Sequence, residues 1–209
     1  MKPDSPARNY SPRLIVIVAD IGGPVALHNL LSELPADFRL PIVIFLTSDP
    51  LLHESSISAL QRTTPLKLHQ AKTETELQAG HVYFAVSGRA CSLNNTGRRL
   101  ALTPDRADER WISSSISRLA GQLGAGLTVV FLSGRGDDAD TCPACSALEQ
   151  HRCDTLVLSS AESVVSDLGR SVLAHHPAAR ELSAQQIIAC LVTDQNKLAA
   201  PARQKAGRM

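Results

Sequence analysis

The chain has 209 residues, room for one large domain, and its 44% apolar and 20% charged residues form an ordinary globular balance. Its 21 basic side chains stand against 20 acidic ones for a net +1, so no overall field gathers nucleic acid or an anionic membrane. Aromatics at 3% leave few base-stacking platforms, and apolar runs such as Leu14 to Ala19 fall far short of the ~20 residues that span a bilayer.

Residues 1–12 are polar, contain three prolines and lack the apolar stretch of a secretory signal, so they read as a disordered tail. Five cysteines, an odd number in a chain large enough to need no staples, fit a reducing cytoplasm. The folded domain is expected over 13–198, with a mobile C-terminal tail over 199–209.

Leu14 to Val18 is a continuous apolar run closed by Asp20-Ile21-Gly22-Gly23-Pro24. Runs without polar alternation suit strands buried on both faces of a parallel sheet. A helix is predicted next, with Pro24 in its first turn and Ala26, Leu27, Leu30, Leu31 and Leu34 facing inward. Pro41 to Leu46 repeats the strand signal and Leu51 to Leu60 the helix signal. Short strands follow at Leu66 to His69 and Val82 to Val86. Asn94-Asn95-Thr96-Gly97, between Cys91-Ser92-Leu93 and Leu100-Ala101-Leu102, marks a hairpin. Trp111 to Leu123 has helical spacing, and Leu127 to Leu132 is a second buried strand, ending in Ser133-Gly134-Arg135-Gly136-Asp137-Asp138. A strand at Thr155 to Leu158 and helices near Glu162 to Leu173 and Ser183 to Val192 complete the chain.

The repeated strand–helix units predict a doubly wound α/β domain: a three-layer αβα sandwich on a mostly parallel sheet, with a β-hairpin. In this architecture the ligand crevice lies outside the carboxyl ends of the strands. Three loops are therefore of interest: Asp20 to Gly23, Thr47 to Pro50 and Gly134 to Asp138.

Val18-Ala19-Asp20-Ile21-Gly22-Gly23 resembles the small-Ser-Thr-Gly-Gly elbow of the CheB-type chemotaxis methylesterases. Thr47-Ser48-Asp49-Pro50 is similar to their Gln-His-Met-Pro, and Ala79 to Ser87 to their Pro-Gly-His-x-Tyr-x-Ala-Pro-Gly. Leu132 to Ala139 looks like Leu-Thr-Gly-Met-Gly-Asn-Asp-Gly, and Ser160 to Gly169 like the closing Glu-Ala-Ser-x-Val-Val-x-Gly stretch. The likeness runs in order from about Leu14 to Val192.

The resemblance implies an enzyme that hydrolyses glutamate methyl esters on chemoreceptors with a serine nucleophile, a histidine base and an orienting aspartate. Carried over by position, the serine is Asp20, the histidine is Ser48, and only the aspartate is kept, as Asp138. A hydroxyl gains nucleophilicity when an imidazole takes its proton and a carboxylate steadies the imidazolium. Asp138 without a histidine has nothing to orient. The resemblance thus implies a catalytically degenerate, free-standing cytoplasmic protein that binds a chemoreceptor or another chemotaxis-pathway protein, with no nucleic-acid partner, membrane insertion or cofactor. Gly22, Gly23 and Arg135 are its candidate substrate-binding positions.

Other chemistries are open to the same residues. An active esterase or deamidase rearranged around Asp138 requires His53 or His81 within reach of a hydroxyl and of Asp138. Asp20 is open to roles as a nucleophile, as a Mg²⁺ ligand with Asp137 and Asp138, or as the cap of the following helix. Cys142-Pro143-Ala144-Cys145, at the start of a helix, has the pattern of a low-pKa redox pair, or with His151 and Cys153 of a zinc set. His175 and His176 end a helix, where an imidazolium complements the dipole.

Overall fold

Leu14–Ala19 (β1) is buried at all six positions, which is why a run of branched aliphatic residues with no polar alternation forms it. The computed structural model describes residues 13–46, 53–104, 110–136 and 138–199. In chain order, β1 is followed by α1 (Gly23–Glu33), β2 (Ile42–Leu46), α2 (His53–Gln61), β3 (Lys67–Gln70), β4 (Thr75–Glu76) and β5 (His81–Phe84). Then come the hairpin strands β6 (Arg89–Leu93) and β7 (Arg99–Pro104), helix α3 (Trp111–Leu123) and β8 (Leu127–Phe131). Helix α4 (Asp138–Gln150), β9 (Asp154–Leu158), α5 (Asp167–His175), β10 (Arg180–Leu182) and α6 (Ala184–Ala199) follow.

Seven strands form one parallel sheet in the order β10-β9-β8-β1-β2-β5-β3, and β4-β7-β6 form a separate antiparallel sheet. The two faces of β1 divide the core. Ile15 and Ile17 pack with Leu27, Leu30 and Leu31 of α1 and with Ile187 and Leu191 of α6. Val16 and Val18 pack with α3, α4 and α5 and with the small sheet, where the ring of Phe45 meets Trp111 edge-on at 5.4 Å. The result is the expected doubly wound αβα arrangement.

Several boundaries differ from expectation for physical reasons. Glu162 to Ser166 is not helical: the Gly134 N–H donates to the Val165 carbonyl at 2.9 Å, tying this segment to the end of β8, and α5 starts at Asp167. Helix α6 runs past Val192 because Asp194 and Gln195 are buried and anchored. Asp194 pairs with Arg13 at 3.5 Å, and Gln195 Oε1 accepts the Arg39 N–H at 2.8 Å. Ala199, assigned to the tail, is therefore its last turn, and residues 1–12 and 200–209 lie outside the described residues. Helix α4 begins at Asp138, so the Cys142–Cys145 turn lies inside it with Pro143 in the helix interior.

His176 corrects a further reading. It is 2% exposed, burial pushes its imidazole below the usual 6.5, and nearby Glu149 only partly opposes this. Its Nδ1 has no hydrogen-bond partner among the described residues, so it is a neutral core group rather than a cation at a helix end. His175 instead places Nδ1 2.9 Å from the Ser171 carbonyl.

The unfolded chain takes up a proton at His176 as pH falls below 6.5 while the folded chain resists it, so stability held above that pH is lost on acidification. Thermal melts from pH 7.5 to 5.5 should show a falling midpoint, and His176→Leu should shrink the fall. An equal fall in the variant would remove His176 from the cause.

Candidate functional site

In the order β8-β1-β2, the chain runs outward in one direction from β1 and returns on its other side as β8. That switch opens a crevice at the carboxyl ends of β1 and β8. The loops leaving the two strands continue the ladder: the Leu132 N–H donates to Val18 O at 2.9 Å and the Asp20 N–H to Ser133 O at 3.0 Å. Asp20 therefore stands at the switch point with its backbone held by the opposite strand.

The Asp20 carboxylate is largely buried, at 8% exposure, and Oδ2 accepts the Arg135 backbone N–H at 3.2 Å and Arg135 Nε at 3.4 Å. It does not cap α1. The residue at the head of that helix is Gly22, at φ +76°, and no side-chain cap bond is made there among the described residues. The Gly23 N–H donates to Asp20 O at 2.8 Å, so this amide is engaged within the turn.

Two glycines let three loops meet here. A Cβ on Gly22 would lie 2.5 Å from the Val164 Cβ and 2.7 Å from Ser133 Oγ, and its positive φ disfavours a side chain in any case. A Cβ on Gly134 would lie 2.7 Å from the Asp20 Cβ. Ser133, which sequence reasoning did not single out as a site residue, joins the loops. Its Oγ donates to Ile21 O at 2.8 Å and accepts the Val165 N–H at 2.9 Å. Its only advance signal was its place between Leu132 and Gly134.

Beside this closed floor stand two exposed apolar side chains and a cation. Ile21 and Val164 are 42% and 68% exposed, and the Arg135 side chain stands exposed beside Asp20. Isolated exposed apolar residues are ordinary, but Ile21 and Val164 stand on either side of Gly22, whereas the exposed Val25 lines a separate groove with Leu60, Arg62 and Thr63.

Of the candidate positions, the structure brings together Asp20, Gly22, Gly23 and Arg135. Ser48 lies outside the described residues, as do Asp49 and Asp137; Asp138 opens α4, and its backbone is described but not its side chain. His81 is corrected. It begins β5 and is level with the start of β1, about 20 Å of strand away from Asp20 at ~3.3 Å per residue. There its Nδ1 lies 3.0 Å from His69 Nε2, at the edge strand.

The zinc reading falls as well. Cys145 is buried, with its thiol pushed up to about 12, and Cys153 is pushed up to about 11, in both by burial. A thiolate at neutral pH needs the opposite environment. Among the described residues no three His, Cys, Asp or Glu come together as a metal set, so Cys142, Cys145, His151 and Cys153 do not converge.

The sequence model of the CheB methylesterase family matches residues 15–191. The chain belongs to the CheB methylesterase family. It is 34% identical over 132 residues to protein-glutamate methylesterase/protein-glutamine glutaminase 4 of Myxococcus xanthus, covering 61% of this chain and 36% of that protein. It is 30% identical over 171 residues to enzyme 5 of the same name and organism, covering 79% and 49%. The chain spans between 28% and 49% of the length of the curated relatives it matches. The crystal structure of the Thermotoga maritima CheB methylesterase catalytic domain superposes with a TM-score of 0.78 at 22% identity, covering 88% of this chain and 99% of that one. That likeness shows the shared fold. The described helices include none long and apolar enough to cross a membrane.

Close backbone approach, rather than the exposed ion pair, holds Asp20 in place. Gly134→Ala should cost about 1–3 kcal/mol in chemical denaturation, because the new methyl strikes the Asp20 Cβ and backbone. Arg135→Ala should cost less than about 1 kcal/mol, since its side chain is 71% exposed and solvent-screened. Equal losses would contradict this ordering.

Proposed function

We propose that this protein is a catalytically degenerate methylesterase-like member of a chemotaxis-type signalling system, acting in the cytoplasm by binding a receptor or signalling partner. The observation that carries the reading is Asp20: a largely buried carboxylate, bonded to Arg135, at the position where the family resemblance puts the nucleophilic serine.

The chemistry argues against ester hydrolysis at this carboxylate. A carboxylate attacking an ester carbonyl forms an anhydride and expels methoxide, which needs a proton donor at the leaving oxygen. The tetrahedral intermediate also places a new negative charge beside Asp20, where acyl-transfer sites present hydrogen-bond donors. The first carboxylate already takes the Arg135 N–H and Nε, the nearest donors described. With serine at position 48 in place of the family's histidine, no imidazole is supplied at that point of the chain.

What the loops retain is a shaped surface. Beside the closed floor of Gly22, Ser133 and Gly134 stand the exposed side chains of Ile21 and Val164 and the exposed cation Arg135. Exposed apolar side chains beside a cation suit a protein partner better than a small polar substrate.

Purified protein mixed with a methylated chemoreceptor should release methanol at the background rate. The same preparation should bind the receptor's cytoplasmic fragment saturably in calorimetry, and Val164→Asp should weaken that binding at least tenfold. Methanol release that Asp138→Ala abolishes would overturn the reading, as would absence of binding to receptor and to the other chemotaxis proteins of the same cell.

A further inference from the structure

A second concave site lies at the opposite end of the sheet. It occupies the seam between the amino ends of β1 and β2 and the small antiparallel sheet, encloses about 300 Å³, and is about 20 Å of strand from Asp20. Its walls combine three arginines, Arg13, Arg39 and Arg98, with Leu77, Leu93 and Leu123 and a single acid, Glu76.

The three cations are not equivalent. Arg13 is committed: its Nη1 donates to the Asp194 carbonyl at 3.3 Å and pairs with the Asp194 carboxylate at 3.5 Å. Arg39 and Arg98 are fixed only by their backbones. The Arg39 N–H donates to Gln195 Oε1 at 2.8 Å. The Arg98 carbonyl accepts the Leu77 N–H at 2.8 Å, and its own N–H donates to Asn94 Oδ1 at 3.2 Å. Neither guanidinium has an ion-pair or hydrogen-bond partner among the described residues. Two forks are thus carried on pinned backbone at the edge of one cleft, with their donors unspent.

We propose that this cleft binds a small amphiphilic anion, a carboxylate or phosphate ester held by Arg39 and Arg98 with its apolar body against Leu77, Leu93 and Leu123. The planar guanidinium matches both oxyanions in bidentate geometry. Ligand pockets join an apolar lining to a few placed polar groups, and about 300 Å³ admits a body of one ring or a short chain. Glu76 selects further. Its carboxylate on the same wall repels a polyanion, so a single anionic head is favoured over polyphosphate or nucleic acid. The site shares no residue with the Asp20 mouth, so it stands whether or not the proposed function does.

Phenyl phosphate and 3-phenylpropionate are the probes, titrated into isotope-labelled protein and followed by amide shifts at low salt. At least one should bind saturably, with shifts centred on Arg39, Leu77 and Arg98, and the tighter of the two reports whether phosphate or carboxylate is preferred. Arg39→Gln with Arg98→Gln should weaken it at least tenfold while leaving the melting temperature unchanged, because both side chains are exposed and both backbone bonds survive the change. Inorganic phosphate and benzyl alcohol, each carrying half of the proposed ligand, should bind at least tenfold more weakly. Absence of saturable binding by both probes would overturn the proposal. So would undiminished binding in the double variant, inorganic phosphate binding as tightly as the tighter probe, or shifts centred on Asp20.

Discussion

The pairing of β1 with β8 is the constraint from which the site follows. The two strands run parallel in register from Leu14 opposite Leu127 to Val18 opposite Phe131. The ladder does not stop where the strands do, since Leu132 and Asp20 each donate one more bond across the gap. Both loops therefore leave the sheet at the same height, and residues far apart in sequence share a crevice. A glycine at 134 is what the closeness requires, and Ser133 fastens the third loop by bonding Ile21 and Val165. A reacting group at position 20 would be held firmly, whatever its chemistry.

That rigidity sharpens the meaning of the aspartate. A scaffold that had loosened would not keep glycines where only glycine fits, nor bury Asp20 to 8% exposure at the switch point. In the reading proposed above, the fold keeps its positioning while the carboxylate at its focus is satisfied by Arg135. In that reading the exposed Ile21 and Val164 beside the elbow carry the contact with a partner, the role left to a surface whose chemistry has been replaced.

The fold was legible where burial is two-sided. Leu14–Ala19, Ile42–Leu46 and Leu127–Phe131 are buried at every position, so an uninterrupted apolar run identifies each. Edge elements lack that signature. Arg180–Leu182 and Thr75–Glu76 are polar, and sequence reasoning passed over both, because their pairing is carried by backbone bonds to neighbours. At the site, the elbow around Asp20 and the turn at Gly134 followed from strand ends and glycines. Ser133 as the fastening group did not, because a hydroxyl's partners depend on loops 32 and 112 residues away. The cysteine spacing was no guide to a zinc set for the same kind of reason: spacing is local, whereas the burial that raises the Cys145 thiol comes from packing of α4 against α5, near Val172.

The central claim is that the positioning remains and the reacting groups are gone. The most direct test is to install them together, Asp20→Ser with Ser48→His, and to measure methanol release from a methylated chemoreceptor against each single variant. The account predicts that release appears only in the double variant and is lost again when Asp138→Ala is added. A double variant that folds as the parent does and still releases no methanol would contradict the claim that the catalytic scaffold is intact.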